Sequence, residues 1–320
     1  MRYFLSLLFS LSVLANESLL DIYQKEGSEG IEGIFDQELA SKKYWTKKLQ
    51  DIDTRFGYFE GINYILACNK GDSSLKLYTK NDSSSFELNQ NFSAFIGKKA
   101  GDKRREGDLK TPLGVYKFIK KLDHVDSFYG PLAFVTSYPN IFDRVQGKNG
   151  SGIWVHGLPL NQERNDFTKG CIAINNSNLE HIEDQINFKE ALVYIDQDSY
   201  PQVQKEALTA LLSQLYSWRK AWKENNITEY LSFYSEDFKR NDGLSIQQFK
   251  EYKKRLFTKK EYKQILFSKI NILPYPMADK ENIYFISFNE EYRSKNYQFN
   301  GEKELYVHLD NENFTILAEK

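Results

Sequence analysis

A histidine and a cysteine stand at the ends of two short apolar runs. His156 follows the run Ile153 to Val155, and Cys171 opens the run that continues to Ile174. If these runs are neighbouring strands that end at one rim of a sheet, the imidazole and the thiol come within hydrogen-bond reach. A thiol with a pKa of about 8.5 is mostly protonated at neutral pH and needs a base to become a nucleophile. The pair predicts thiol catalysis, with Cys171 as nucleophile and His156 as base.

The residue before the cysteine is a glycine, Gly170. Glycine allows a tight approach of backbone to substrate, and the N–H groups of Gly170 and Cys171 are predicted to hold a developing oxyanion. A histidine base also needs a group that orients its ring. No nearby acidic residue fills that role obviously, but a backbone carbonyl can serve.

The amino terminus has the features of a secretory signal. It carries one charge, Arg2, then an apolar stretch from Tyr3 to Leu14, with Val13 and Ala15 at signal-peptidase spacing. We expect cleavage after Ala15 and a periplasmic protein. The alternative is an uncleaved anchor, but the stretch is short for a membrane span and contains serines.

Secretion changes the meaning of the cysteines, because oxidising compartments convert unneeded thiols into disulfides. The chain contains only Cys68 and Cys171. They form one disulfide, or Cys171 is a reactive thiol and Cys68, which lies in an apolar strand without a histidine motif, packs in the core.

The composition bounds the class of protein. The chain has 320 residues, 41% hydrophobic and 27% charged, as in a soluble globular protein with more than one domain. With 43 basic and 44 acidic side chains, no long-range field favours nucleic acid or an anionic membrane. The basic run Lys98, Lys99, Lys103, Arg104, Arg105 is interpreted as a solvated loop.

Hydrophobic periodicity divides the mature chain into three parts. Residues 16–58 are a predicted helical segment, which packs on the next domain or against a second copy in a homodimer. Residues 59–200 are mostly β, and residues 201–320 have helices first and an antiparallel sheet second. The predicted strands of the middle part are Tyr64 to Cys68, Leu75 to Thr79, Phe92 to Ile96, Val115 to Ile119, Leu132 to Ser137, Ile153 to Val155, Cys171 to Ile174 and Ala191 to Ile195.

The middle part resembles the YkuD-type L,D-transpeptidases. Their signature of His-Gly, a loop, then Ser or Thr, His, Gly, Cys appears as His156-Gly157 and Thr168-Lys169-Gly170-Cys171. The segment Gly107 to Tyr116 is similar to the family's Thr-Pro-x-Gly-x-aromatic element, and Tyr138-Pro139-Asn140 with Asp143 precedes the histidine. The match covers roughly residues 60 to 198.

The resemblance implies a mixed β fold in which Cys171 attacks the carbonyl of the L-centre of diaminopimelate in a peptidoglycan stem and releases D-Ala through a thioacyl enzyme. It assigns the imidazole-orienting carbonyl to Gly157, and it implies neither a metal nor a cofactor. Residues proposed to contact the stem peptide are Thr168, Lys169, Ala173, Trp154 and Tyr138.

Two departures from the family pattern concern substrate handling. Lys169 replaces the usual histidine, and Ala173 replaces a frequent arginine. The layout, with a helical segment first and an added carboxy-terminal domain, is similar to the branch of L,D-carboxypeptidases in helical and curved bacteria. In that branch water resolves the thioacyl enzyme and leaves a tripeptide.

The carboxy-terminal part resembles the nuclear-transport-factor-2-like cone. The resemblance is carried by Trp218-x-x-Ala221-Trp222, by a helix at Tyr230-x-x-Phe233-Tyr234 and by the trailing strands. Such cones often hold a pocket, so this domain binds a glycan or peptide or only orients the enzyme. The predicted fold class is α+β, a YkuD-like mixed β domain with a helical amino-terminal segment and this cone.

Four rival functions are considered, and the first two are disfavoured by the spacing and order of His156 and Cys171. A sortase-like transpeptidase separates its Cys and His further and needs a later arginine, and the amidase or endopeptidase class places its cysteine before its histidine. An L,D-transpeptidase that forms diaminopimelate crosslinks, or attaches proteins to the wall, shares the thioacyl enzyme and is not separated by sequence. A non-catalytic wall-binding protein is the fourth, and it and the L,D-transpeptidase are the two alternatives that stay open.

Overall fold

The structure is a computed structural model that describes residues 19–162, 166–198, 200–277 and 281–320. The predicted signal peptide lies outside the described residues. The fold is mixed α+β, as predicted, with a YkuD-like sheet domain followed by a cone-shaped domain. In the described ranges, no helix combines the length and the apolar character that a membrane crossing requires.

The amino-terminal segment is helical and packs on the carboxy-terminal domain rather than on the sheet domain that follows it in sequence. Helices α1 (Leu19–Leu39) and α2 (Lys42–Lys48) lead to the short strand β1 (Tyr58–Phe59). Trp45 of α2 is buried and stacks on Tyr216 with ring centroids 5.5 Å apart. Asp36 accepts hydrogen bonds from Lys223, at 2.7 Å, and from Arg219. The segment therefore belongs to the core of the last domain.

The middle domain contains an eight-stranded sheet in the order β4-β3-β2-β9-β5-β6-β7-β8. Its elements are β2 (Tyr64–Asn69), β3 (Ser74–Lys80), β4 (Phe86–Ser93), β5 (Gly114–Leu122), a 3-10 helix (Ser127–Tyr129), β6 (Ala133–Thr136), α3 (Ile141–Val145), β7 (Trp154–His156), β8 (Ile172–Ala173), α4 (Asn176–Gln185), a 3-10 helix (Phe188–Glu190) and β9 (Ala191–Asp196). β2 and β9 run parallel at its centre. They are near-continuous apolar runs, as expected for strands buried on both faces.

The carboxy-terminal domain wraps a six-stranded sheet around helix α5. Its elements are α5 (Lys205–Lys223), α6 (Ile227–Ser232), β10 (Tyr234–Arg240), α7 (Ile246–Phe257), β11 (Lys263–Pro274), β12 (Ile283–Ser294), β13 (Gln298–Asp310) and β14 (Asn313–Glu319). The sheet order is β1-β11-β12-β13-β14-β10. β1 pairs with β11 through Tyr58 and Ile272, so the amino-terminal segment extends this sheet.

Two predicted elements differ from the structure. The helix predicted to include Tyr234 ends at Ser232, and Tyr234 opens strand β10. The strand predicted at Phe92 to Ile96 is displaced, because β4 ends at Ser93 and Phe95 makes only an isolated bridge to Ala173.

One hydrophobic cluster crosses the boundary between the two domains. Phe142 of α3 stacks on Tyr306 of β13, with centroids 5.0 Å apart and ring planes 17° from parallel. Tyr275 packs edge-on against both rings, and its hydroxyl accepts a hydrogen bond from Asn140 Nδ2 at 3.0 Å. Aromatic burial of this extent holds the sheet domain and the cone in a fixed relation.

Candidate active site

The predicted histidine ends strand β7, and the predicted cysteine is the residue immediately before strand β8. β7 and β8 pair in parallel, with Val155 opposite Ile172 and His156 opposite Ala173. Cys171 stands two residues before the partner of His156, about 6–7 Å along the strand direction. Positions two apart on an extended chain share a face, so the register, continued one residue back from β8, puts Cys171 on the side of Ala173 and His156. His156 is 1% exposed and Cys171 is partly exposed.

A backbone carbonyl orients the imidazole. His156 Nδ1 lies 2.7 Å from Gly157 O, which is the contact that the family resemblance implies. A carbonyl oxygen only accepts, so Nδ1 carries the hydrogen and Nε2 is the basic nitrogen of the neutral ring. The ring of Tyr129 meets the imidazole edge to face, with centroids 5.0 Å apart. The contact therefore leaves Nε2 as the ring nitrogen that can accept a proton.

The turn before the cysteine is held by a threonine. Thr168 Oγ1 accepts from the Gly170 N–H at 2.9 Å and donates to Cys171 O at 2.7 Å. Gly170 has a φ of +139°, and a Cβ at this position would lie 2.8 Å from Lys110 O. Glycine is required here by both backbone conformation and space. Cys171 Sγ lies 3.3 Å from Gly152 O.

These contacts correct two expectations. The Gly170 N–H was predicted to hold an oxyanion, but in this structure it donates to Thr168 Oγ1. Thr168 was predicted to contact substrate, but it is 3% exposed and both of its hydroxyl contacts lie within the turn. Gly170 and Thr168 therefore shape the backbone that presents Cys171.

The segment with Thr111, which resembles the family's Thr-Pro element, is linked to the Thr168 turn through residues 96 and 97. Thr111 is buried, and its hydroxyl accepts from the Gly97 N–H at 2.8 Å. Thr168 N–H donates to Ile96 O at 2.7 Å, beside Gly97. Lys70 Nζ donates to Thr111 O at 2.6 Å, and burial lowers the pKa of this lysine to about 8.

The basic run is not wholly the solvated loop that its sequence indicates. Lys103 is 3% exposed, and its Nζ lies 2.7 Å from Asp108 Oδ1. Burial opposes ionisation of Asp108, but the Arg105 N–H, the Lys103 ammonium and the Arg104 N–H together hold the pKa of this carboxyl well below its usual range. Part of the run is therefore folded around the Asp108 carboxylate, three residues before Thr111.

The other proposed substrate contacts separate into accessible and buried residues. Trp154 is half-buried and packs on Tyr129, with centroids 5.1 Å apart, and Lys169 is exposed. Tyr138 is buried in the core, where its hydroxyl donates to Asn149 O at 3.1 Å. Ala173 is fully buried. Neither Tyr138 nor Ala173 presents a surface to a substrate.

The disulfide alternative is wrong. Neither Cys68 nor Cys171 takes part in a disulfide. Cys68 is buried in β2, and burial raises the pKa of its thiol to about 12. Cys68 is a packing residue, as its apolar context indicates.

Three residues that border the histidine were not identified from sequence: Tyr129, Gly130 and Asn176. Tyr129 O accepts from the Gly157 N–H at 2.9 Å, and Asn176 Oδ1 accepts from the Leu158 N–H at 2.7 Å. The pair Asn175-Asn176 after an apolar run is a helix-start signal. Such a signal does not indicate that the Asn176 side chain contacts the backbone that follows His156.

The cone contains a separate cavity of about 680 Å³. Its aromatic and charged lining includes Trp222, Arg240, Tyr252, Lys253, Lys263, Glu290, Tyr292, Tyr297, Lys303 and Glu319. Lys303 Nζ lies 2.6 Å from Glu319 Oε1. Burial raises the pKa of Glu290 to about 7 and lowers that of Lys253 to about 8.

Comparison with known proteins agrees with this two-domain organisation. Residues 63–195 match the profile of the YkuD L,D-transpeptidase catalytic domain, and residues 210–320 match that of the Cds6 C-terminal NTF2-like domain. The chain is 32% identical over 82 residues to YafK of Escherichia coli K12, whose name assigns it provisionally to the L,D-transpeptidases. That match spans 26% of this chain and 30% of YafK.

Two solved structures align over most of the chain. The helical cell shape determining protein Pgp2 from Campylobacter jejuni is 40% identical, with a TM-score of 0.80, and the alignment covers 88% of this chain and 99% of that one. Bd1075 from Bdellovibrio bacteriovorus is 27% identical, with a TM-score of 0.63, over 81% of this chain and 92% of that one. The chain therefore belongs to the family of proteins in which a YkuD L,D-transpeptidase catalytic domain is joined to a Cds6-type C-terminal NTF2-like domain.

Proposed function

We propose that the protein is a periplasmic peptidoglycan L,D-carboxypeptidase that removes the terminal D-Ala from tetrapeptide stems and leaves tripeptides. The observation that carries the proposal is the β7–β8 register, which directs Cys171 and His156 to one face while Gly157 O holds Nδ1. Similarity to Pgp2, a helical cell shape determining protein, extends the proposal to an effect on cell shape.

The chemistry begins with proton transfer from the Cys171 thiol to His156 Nε2. The thiolate attacks the carbonyl carbon between the L-centre of diaminopimelate and D-Ala, and the tetrahedral oxyanion accepts a hydrogen bond from the Cys171 N–H. The amide C–N bond then breaks, His156 returns the proton to the leaving D-Ala amine, and a thioester remains. Gly157 O stabilises the imidazolium through Nδ1–H during these steps.

Water completes the cycle. His156 Nε2 takes a proton from water, the hydroxide attacks the thioester, and collapse expels the Cys171 sulfur with the tripeptide carboxylate as product. The same thioester attacked by an amine of a second stem gives a diaminopimelate crosslink. Acceptor access therefore separates the carboxypeptidase from the alternative, an L,D-transpeptidase.

Two accessible residues are proposed to bind the stem peptide. Lys169 is exposed beside the nucleophile, where its ammonium attracts a carboxylate of the stem. The β7–β8 register, continued by one residue, puts Trp154 opposite Cys171, and Trp154 is partly exposed to solvent. Together they would supply a charge and an apolar surface near Cys171.

The test uses the full mature chain and purified tetrapeptide muropeptides. We expect tripeptide and free D-Ala by mass analysis, and we expect Cys171→Ala and His156→Ala to abolish both. Cys68→Ala, which removes the other thiol, is the matched control and should retain turnover. Turnover in folded Cys171→Ala would refute the mechanism, and new diaminopimelate crosslinks in place of tripeptides would establish the transpeptidase alternative.

The cone cavity supports a second role, binding of a glycan or peptide of the wall. Its aromatic walls and charged groups match the mixed apolar and polar surface of such ligands. In the Cys171→Ala background, we expect Tyr297→Ala in the cavity to weaken cosedimentation with insoluble peptidoglycan. Tyr23→Ala, an equally exposed tyrosine on α1, is the control. Equal retention of both variants would refute cavity binding, whereas strong binding by a wild-type chain without turnover would establish the non-catalytic alternative.

A further inference from the structure

We propose that Asn176 is a positioning residue for the histidine base, acting through the peptide group that joins Gly157 to Leu158. The inference rests on the proposed function, because it concerns the proton transfers assigned to His156. Asn176 is the first residue of α4 and is half-buried. It does not belong to the His-Gly and Gly-Cys motifs.

The two contacts that define this role are made by one peptide unit. Its carbonyl is Gly157 O, 2.7 Å from His156 Nδ1, and its N–H is that of Leu158, which donates to Asn176 Oδ1 at 2.7 Å. A trans peptide is planar, with its C=O and N–H pointing in opposite directions. Fixing the N–H therefore fixes the direction of the carbonyl. Asn176 thereby sets the orientation of the Gly157–Leu158 peptide plane, and with it the direction of the carbonyl that contacts the imidazole.

The approach of the asparagine depends on two glycines. A Cβ at Gly157 would lie 2.2 Å from Asn176 Oδ1, and a Cβ at Gly130 would lie 2.6 Å from the same oxygen. Gly130 has a φ of +81°, and its added Cβ would also lie 2.7 Å from the Gly157 Cα. The Asn176 side chain thus packs so closely against Gly157 and Gly130 that neither glycine has room for a methyl group.

The contact also has an electronic consequence. An N–H that donates strongly polarises its own peptide, which makes the carbonyl at the other end a better acceptor. Gly157 O then favours the tautomer with hydrogen on Nδ1 and stabilises the imidazolium. Ile174, two residues before Asn176, donates its N–H to His156 O at 3.0 Å. The chain therefore leads from the nucleophile through β8 to Asn176, five residues later.

The experiment compares three variants of the full mature chain. Asn176→Leu removes the acceptor at similar size, Asn176→Asp keeps an acceptor and adds a negative charge, and Asn175→Ala removes the neighbouring helix cap without touching the Gly157 peptide. Side-chain 15N NMR of the protein without substrate reports the His156 tautomer, assigned with a His156→Gln spectrum. Tetrapeptide hydrolysis gives kcat, KM and the pH profile.

We expect Asn176→Leu to lower kcat by roughly 10- to 100-fold, by analogy with the loss of an outer partner of a metal-binding histidine, with KM little changed. The Nδ1–H tautomer should lose population. Asn176→Asp should retain the tautomer and move the acid limb of the pH profile to higher pH, because the added charge stabilises the imidazolium. Asn175→Ala should leave the tautomer and the acid limb unchanged.

An unchanged tautomer in folded Asn176→Leu overturns the inference. If Asn176→Leu does not fold, an acid limb in Asn176→Asp that coincides with wild type overturns it equally. A wild-type protein without tripeptide activity contradicts the proposed function instead, and the tautomer measurement still decides the role of Asn176.

Discussion

The rim that carries Cys171 and His156 and the cavity of the cone are built on opposite principles. At the rim, side chains and carbonyls are placed by backbone shape: Gly170 at positive φ, the Thr168 turn and the Gly157 peptide. In the cone, ionisable groups are buried together, and Glu290 and Lys253 have strongly shifted pKa values. Substitutions that alter backbone shape should therefore affect turnover most at the rim, whereas changes of charge in the cone should affect the pH dependence of stability.

The largest effect is expected from Gly170→Ala. The added Cβ would lie 2.8 Å from Lys110 O at a φ of +139°, so the turn that presents Cys171 must move. A displacement of about 1 Å costs roughly a hundredfold in rate, and we expect at least that loss in kcat for tripeptide formation. Gly107→Ala is the matched control, since Gly107 has positive φ with nothing within 4 Å. Similar kcat values for the two variants would show that the rim does not depend on this shape.

A smaller effect is expected from Thr168→Val, which keeps the shape of the side chain and removes its hydroxyl. The Gly170 N–H and Cys171 O lose partners at 2.9 Å and 2.7 Å. Buried polar groups left without partners cost about 1–3 kcal/mol, which should appear in the free energy of unfolding measured with urea. We expect about a tenfold drop in kcat and substantial recovery in Thr168→Ser. Full activity in Thr168→Val would contradict the role of the hydroxyl in shaping the turn.

The sequence sufficed for contacts that depend on a local motif, such as the one between His156 Nδ1 and Gly157 O. His156 and Gly157 are adjacent in one motif, and Cys171 in the other motif precedes β8, the strand that pairs with β7. The sequence did not indicate which way Thr168, Tyr138 and Ala173 face, because that depends on the Thr111 segment and on core neighbours that are distant in sequence.

The carboxy-terminal domain shows the same limit. Tyr234 and Phe238 are both buried and four residues apart, a spacing that fits one face of a helix and equally one face of a strand. The pairing with β14, which shifts register between Tyr234 and Lys239, makes this segment a strand. The stacking of Phe142 on Tyr306 joins the domains across a sequence separation that no local pattern reports.

A modest effect is expected from Lys169→Gln at the exposed edge of the rim. An exposed ammonium that attracts a stem carboxylate contributes weakly and is screened by salt. We expect KM for the tetrapeptide to rise about two- to fivefold at low ionic strength, with kcat unchanged. The difference from wild type should shrink in high salt, and Lys169→Arg should resemble wild type. A KM insensitive to both substitution and salt would remove Lys169 from the binding surface.

The smallest effect on turnover is expected from Glu290→Gln in the cone. Burial raises the pKa of Glu290 from 4.5 to about 7, so the folded state binds more protons than the unfolded state between these values. This contribution to stability is fully present below pH 4.5 and is lost as pH rises towards 7, amounting to about 3 kcal/mol at most. Glu290→Gln should flatten the fall in the free energy of unfolding across that window, with kcat unchanged. An unaltered pH dependence would mean that Glu290 titrates normally, and a large loss of kcat would mean that the cone and the rim are energetically linked through the core they share.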